Sequence, residues 1–164
     1  MWASQIATVA QLQAAARRNR LEVLVEVTPS KAGPVDDATT AEVIRRVYAA
    51  GIHPDWWKLE PFRTEGAWAN AVGAIEAHDR RTRGILVLGL DAAEAELAEA
   101  FALAARQPLV KGFAVGRTIF GHVAQAWFRG TIGDMEATEE MAARYSKLCA
   151  IWDAERQESG RTPA

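Results

Sequence analysis

The chain has 164 residues, 49% hydrophobic and 24% charged, the composition of one globular domain with a sizeable core. A net charge of −2 gives no electrostatic footprint for nucleic acid or an anionic membrane, so neither is an expected partner. The single cysteine, Cys149, excludes an intramolecular disulfide and fits a reducing cytoplasm. No apolar run reaches bilayer-spanning length, and the opening MWASQIATVAQLQAAARRNR lacks the basic-then-apolar order of a secretion signal. Together these predict a soluble cytoplasmic protein.

Ile6, Val9, Leu12 and Ala16 recur at helical spacing and predict a first helix. LEVLVEV (21–27) predicts a strand, followed by the loop TPSKAGPVDD. Val43, Val47 and Ala50 mark a second helix, and DWWKLEP (55–61) the next strand. Trp68, Val72 and Ile75 share a helical face before the strand GILVLGL (84–90). Asp91, with Glu94 three residues on, reads as the N-cap of a helix whose face holds Leu97, Phe101 and Ala104. LVKGFAV (109–115) is the fourth strand, and VGRTIF (115–120) closes it and opens another helix. Met141, Tyr145, Leu148 and Trp152 mark the last helix; residues 1–157 read as one domain and 158–164 as a disordered tail.

Strands thus recur every 25 to 34 residues with a helix between each pair, the rhythm of βα units in a parallel α/β sheet. A small doubly wound sheet and part of a (β/α)8 barrel both fit that rhythm. No strand is followed by a dinucleotide-binding or P-loop glycine pattern. In either architecture ligands bind at the carboxyl ends of the strands. Those ends carry Glu26, then Lys58 with Glu60, then Gly89 with Asp91, then Gly116 with Arg117.

Alternation puts Leu24 and Glu26 on one face of the first strand, and Trp56, Lys58 and Glu60 on one face of the second. An amine held among apolar groups loses some of the stabilisation of its charged form, and the neutral amine attacks a ketone to form a Schiff base. A nearby carboxylate shuttles protons for such chemistry. The plainer reading has Lys58 reach water and pair with Glu60 or Glu26. Gly116 permits close backbone approach, the helix start favours an anion, and Arg117 offers a fork for phosphate oxygens. Lys31 lies within reach of the mouth but reads more simply as a solvated loop residue. Lys111 begins its strand and points away from the site. His53, His78 and His122 stand singly, without metal-ligand spacing.

At LVEVTPSKAGPVDD, GIHPDWWKLEP and LVKGFAVGRTIFGHVAQAWFRG the chain resembles the aldolase-like domain at the carboxyl end of bacterial 5-dehydro-2-deoxygluconokinase fusion proteins of myo-inositol catabolism. That likeness runs from about residue 10 to residue 157, and more distantly the chain is similar to the class I tagatose-bisphosphate aldolase group of barrel enzymes. The resemblance implies four consecutive βα units of a TIM-type barrel, a half-barrel starting at the helix before the fifth strand. It implies Lys58 as the Schiff-base lysine, Glu26 as the proton carrier, and Gly116 with Arg117 as phosphate ligands. Glu60, Gly89, Asp91 and Lys31 are further candidate substrate contacts.

The implied reaction is retro-aldol cleavage of 2-deoxy-5-keto-gluconate 6-phosphate to dihydroxyacetone phosphate and malonate semialdehyde, with no metal or other cofactor. The kinase half and the first four barrel strands are absent, so the chain is expected to be a homodimer or to associate with a missing half-barrel. Two rivals remain: a metal-dependent lyase holding a divalent cation on Glu26, Glu60 and Asp91, and a non-catalytic remnant.

Overall fold

A computed structural model describes residues 2–89 and 94–160. The element order is α1 (Trp2–Arg18), β1 (Leu24–Val27), α2 (Thr39–Ala49), β2 (Trp56–Leu59), α3 (Glu65–His78), β3 (Gly84–Leu88), α4 (Glu94–Ala105), β4 (Val110–Ala114), α5 (Arg117–Phe128) and α6 (Asp134–Glu158). A single 3-10 turn, Pro29–Lys31, interrupts the loop after β1. The four strands form one parallel sheet in the order β1-β2-β3-β4. All four expected strands are present, each shortened by one to three residues at one or both ends. Glu158 is the last residue of α6, and most of the expected tail lies outside the described residues. No helix among the described residues is long and apolar enough to cross a membrane.

Strand alternation divides the side chains sharply. Val25, Val27, Trp57, Leu59, Ile85, Val87 and Val110 join one apolar cluster with residues of α1, α2, α3, α4 and α6. The intervening residues Leu24, Glu26, Trp56, Lys58 and Leu86 lie outside it, and Leu24 is 42% exposed. The core therefore fills one face of the sheet only. The two adjacent tryptophans show the division: Trp57 is fully buried, with its Nε1–H donating to the Tyr48 hydroxyl at 3.0 Å, while the Trp56 Nε1–H reaches Glu22 at 2.8 Å on the other side.

Helix faces follow the expected spacing, with three differences. Leu12 is exposed and Gln13 buried, because Gln13 bridges the Gly51 carbonyl at 3.3 Å and the His53 N–H at 2.7 Å. Ala50 is exposed, since α2 buries Ala41, Ile44, Val47 and Tyr48. Tyr145 is also exposed, while Leu148 and Trp152 on α6 are covered as expected. Arg156 on α6 is buried and donates to the Ala105 and Val110 carbonyls, which ties α6 to the ends of α4 and β4.

The exposed large hydrophobics have a definite distribution. Among the described residues, Leu12, Leu21, Leu24 and Val35 lie on or beside α1 and β1, and Phe120, Trp127, Phe128, Met135 and Tyr145 lie on α5 and α6 or between them. None is on α2, β2, α3, β3 or α4.

Burial pushes the Tyr48 hydroxyl from its ordinary 10 up to about 12. The folded chain holds this proton more tightly than the unfolded one, so its contribution is complete below pH 10 and is lost as pH rises toward 12. Tyr48→Phe should remove that alkaline loss and cost about 1–3 kcal/mol at neutral pH, because the buried Trp57 Nε1–H is left without its acceptor. Denaturant unfolding at pH 7 and pH 11 checks both; no loss at pH 7 would show that the hydroxyl does not serve the indole.

Candidate active site at the strand ends

Register creates the central pair of the site. Glu26 on β1 and Lys58 on β2 are direct Cα partners in the parallel ladder, and both side chains project from the face opposite the core. Lys58 Nζ lies 3.1 Å from Glu26 Oε2, with the side chains 21% and 41% exposed. An ion pair this exposed contributes only about 0.2–1 kcal/mol. Stability alone is therefore a weak reason for placing a lysine on a central strand.

Beyond the pair lies a concavity of about 250 Å³, lined on the strand side by Glu26, Lys58, Leu88, Gly89 and Ala114. Gly116, Arg117, Thr118 and Phe120 complete it from the start of α5. It falls below the roughly 300–1,000 Å³ of ordinary small-molecule pockets. Gly116 is the N-cap of α5, with no side-chain cap, and its carbonyl accepts from Ile119 at 2.8 Å and Phe120 at 3.0 Å. The positive end of the α5 dipole thus faces the concavity beside Arg117 and across from Lys58. Among the described lining residues, Lys58, Arg117 and the start of α5 stand against one carboxylate, Glu26, an arrangement that favours an anionic ligand.

Glycines make the shape possible. A Cβ on Gly89 would sit 2.6 Å from Val115 Cγ1 and 3.0 Å from its Cβ, and one on Gly116 would meet the Phe120 ring at 2.9 Å. Close approach at the ends of β3 and β4 is what brings α5 over the strand ends.

Of the residues expected at the site, Lys58, Glu26, Gly89, Gly116 and Arg117 meet around one hollow. Glu60 does not join them. It is buried just past β2, where it accepts the Ser30 hydroxyl and the Ser30 backbone N–H, the latter at 3.3 Å. Glu60 thus anchors the loop after β1, and the plainer pairing of Lys58 falls to Glu26. Lys31 is exposed on the 3-10 turn, off the lining, and Asp91 lies outside the described residues. Among the described residues no three His, Cys, Asp or Glu side chains gather as a metal-binding group. Lys111 lies at the opposite end of the sheet, its ammonium on the Pro108 carbonyl at 3.0 Å. Sequence reasoning missed Thr118 and Phe120; their places in the first turn of the helix after Gly116 were the available signal.

Residues 1–156 match the family described as "Uncharacterized protein conserved in bacteria (DUF2090)". The chain belongs to that family. No curated protein matches it.

Gly89→Ala should lower stability by about 1–3 kcal/mol, since the added methyl meets Val115 close to its backbone. Gly116→Ala should cost less, because the ring it meets belongs to the half-exposed Phe120 and has room to swing away. Thermal melts of the two variants check the order; a milder Gly89→Ala would show that β4 yields readily.

Proposed function

We propose that the chain is the half of a (β/α)8 barrel that carries the Schiff-base site of a class I aldolase acting on a phosphorylated keto sugar acid. One observation carries the reading: an amine and a carboxylate 3.1 Å apart project from neighbouring strands into an anion-suited hollow at the strand ends. The sequential strand order and the single covered face support a barrel segment over a doubly wound sheet, which would be covered on both faces. The resemblance to the aldolase-like domain of 5-dehydro-2-deoxygluconokinase fusion proteins supplies the substrate, 2-deoxy-5-keto-gluconate 6-phosphate.

In this reading Arg117 and the start of α5 hold the phosphate, which sets the adjacent keto carbon before Lys58. Glu26 takes a proton from the ammonium, and the neutral amine adds to the carbonyl. Glu26 returns that proton to the departing hydroxyl, and loss of water leaves a protonated imine. Glu26, acting as general base, removes the proton from the hydroxyl two carbons from the imine carbon. The bond joining that hydroxyl-bearing carbon to the carbon next to the imine breaks, malonate semialdehyde departs with the new aldehyde, and the bonding electrons form an enamine as the iminium nitrogen takes up the C=N pair. Protonation of that enamine and hydrolysis of the imine release dihydroxyacetone phosphate and restore the lysine. The iminium acts as the electron sink, so every step uses a side chain of this site.

Borohydride in the presence of dihydroxyacetone phosphate should fix a stable adduct on the peptide containing Lys58. Lys58→Ala should abolish it and Lys111→Ala should leave it intact, as read by peptide mass spectrometry. An adduct that survives Lys58→Ala would overturn the assignment.

Arg117→Ala should weaken binding of a phosphorylated keto sugar by about 1.5–3 kcal/mol, the worth of a charged hydrogen bond. It should barely change binding of the unphosphorylated analogue. Calorimetric titration of both ligands checks this; equal losses would make Arg117 structural.

A further inference from the structure

Lys58 and Glu26 are too exposed for their mutual attraction to fix their separation, so the backbones beneath them must do so. Lys58 is well held, because β2 pairs with β1 on one side and β3 on the other. Glu26 is less so. It is the third residue of a four-residue strand that pairs with β2 alone among the described strands. The ladder ends one rung later, at Val27 and Leu59. The end of a short outer strand is where local opening costs least.

Just past the last rung, a side chain links the same two strands. Glu60 follows Leu59 directly and is only 6% exposed. Both of its carboxylate oxygens accept from Ser30, Oε1 from the hydroxyl and Oε2 from the backbone N–H at 3.3 Å. A carboxylate taken out of water must recover its lost hydration through such bonds. Ser30 is the middle residue of the 3-10 turn Pro29–Lys31. That turn is closed by the Lys31 N–H on the Thr28 carbonyl at 3.3 Å and the Ala32 N–H on the Pro29 carbonyl at 2.9 Å. It begins two residues beyond Val27, so a hold on Ser30 is a hold on the end of β1. Farther along, the loop is fastened to the start of α3. Asp37 accepts the Thr64 hydroxyl at 2.8 Å, and its carbonyl accepts the Asn70 side-chain amide at 3.1 Å.

We propose that Ser30 and Glu60 are positioning residues for the chemistry of Lys58. Together they lengthen the ladder by one side-chain rung and keep the Glu26 carboxylate at proton-transfer distance from the amine. The inference rests on the aldolase reading and gives Glu60 a part in it without contact with substrate. Without this link the end of β1 opens, and a shift of about 1 Å in a proton carrier costs on the order of a hundredfold in rate. Neither residue lines the hollow where Arg117 and the start of α5 face the phosphate. Loss of the link therefore lowers the rate and spares the affinity.

The test is the initial rate at which borohydride and dihydroxyacetone phosphate form the adduct on Lys58, followed over a range of ligand concentrations. Glu60→Ala should lower the saturated rate on the order of a hundredfold, and Ser30→Ala, which keeps the backbone bond, on the order of tenfold. Half-saturating concentration should not change in either variant. Removing both side chains should be no worse than removing Glu60 alone, since the two act as one unit. Ser30→Thr keeps the hydroxyl and should retain the wild-type rate. Asn70→Ala loosens the same loop at its far end and should also leave the rate as it is. Ser30 is exposed, so its donors pass to water in Glu60→Ala and folding should persist, as circular dichroism checks. A wild-type chain that forms no adduct on Lys58 would overturn the aldolase reading and this inference with it. A wild-type adduct that forms equally fast in Ser30→Ala would overturn this inference alone. So would a loss confined to Glu60→Ala, which would put that carboxylate on the substrate, a slow Ser30→Thr, or an equal loss in Asn70→Ala.

Discussion

The period of two along a β-strand is the constraint from which the rest of the structure follows. With helices packed on one side of a parallel sheet, each strand commits alternate residues to the core and sends the others to the opposite face. On β2 this buries Trp57 and Leu59 completely and leaves Trp56 and Lys58 on the far side. A slip of one residue would bury an ammonium among aromatic rings and expose two large apolar side chains, so the register is strongly fixed. The same register sets Glu26 beside Lys58. The position of the amine is therefore a consequence of how the core packs.

Rigidity of the site comes from the same source. Lys58 lies on an inner strand, flanked in sequence by two fully buried side chains and in space by paired strands. Glu60 then fastens the end of β2 to the loop after β1 through Ser30. Across the hollow, α5 is set by the close passage of Gly89 under Val115 and of Gly116 under Phe120. The Lys58 amine and the start of α5 thus rest on different elements, each fixed by packing that the other does not share.

Much of this was legible from the residues. Val-, Ile- and Leu-rich segments located three strands and the short apolar run DWWKLEP the other, and alternation placed Glu26 and Lys58 on a common face before any register was known. What could not be read depended on events at the ends of strands. Glu60 is two residues beyond Lys58 and by alternation alone belongs beside it, but β2 ends at Leu59 and the side chain turns to a donor in a loop thirty residues earlier. At Lys111 an extra residue enters β4, so that Ile85 faces Val110 while Leu86 faces Gly112; no local pattern announces such a bulge. Leu12 and Gln13 exchange their expected places because the loop before β2 needs a polar bridge, a demand set by tertiary contact.

Covering the open face has an electrostatic consequence for the pair at its centre. In their present exposure Lys58 and Glu26 exchange their attraction largely with water, and at about 4 Å two unit charges in water interact by only about 1 kcal/mol. At an effective dielectric near 20 the same separation is worth about 4 kcal/mol. Excluding water from the face would therefore strengthen the contact between the Lys58 ammonium and the Glu26 carboxylate.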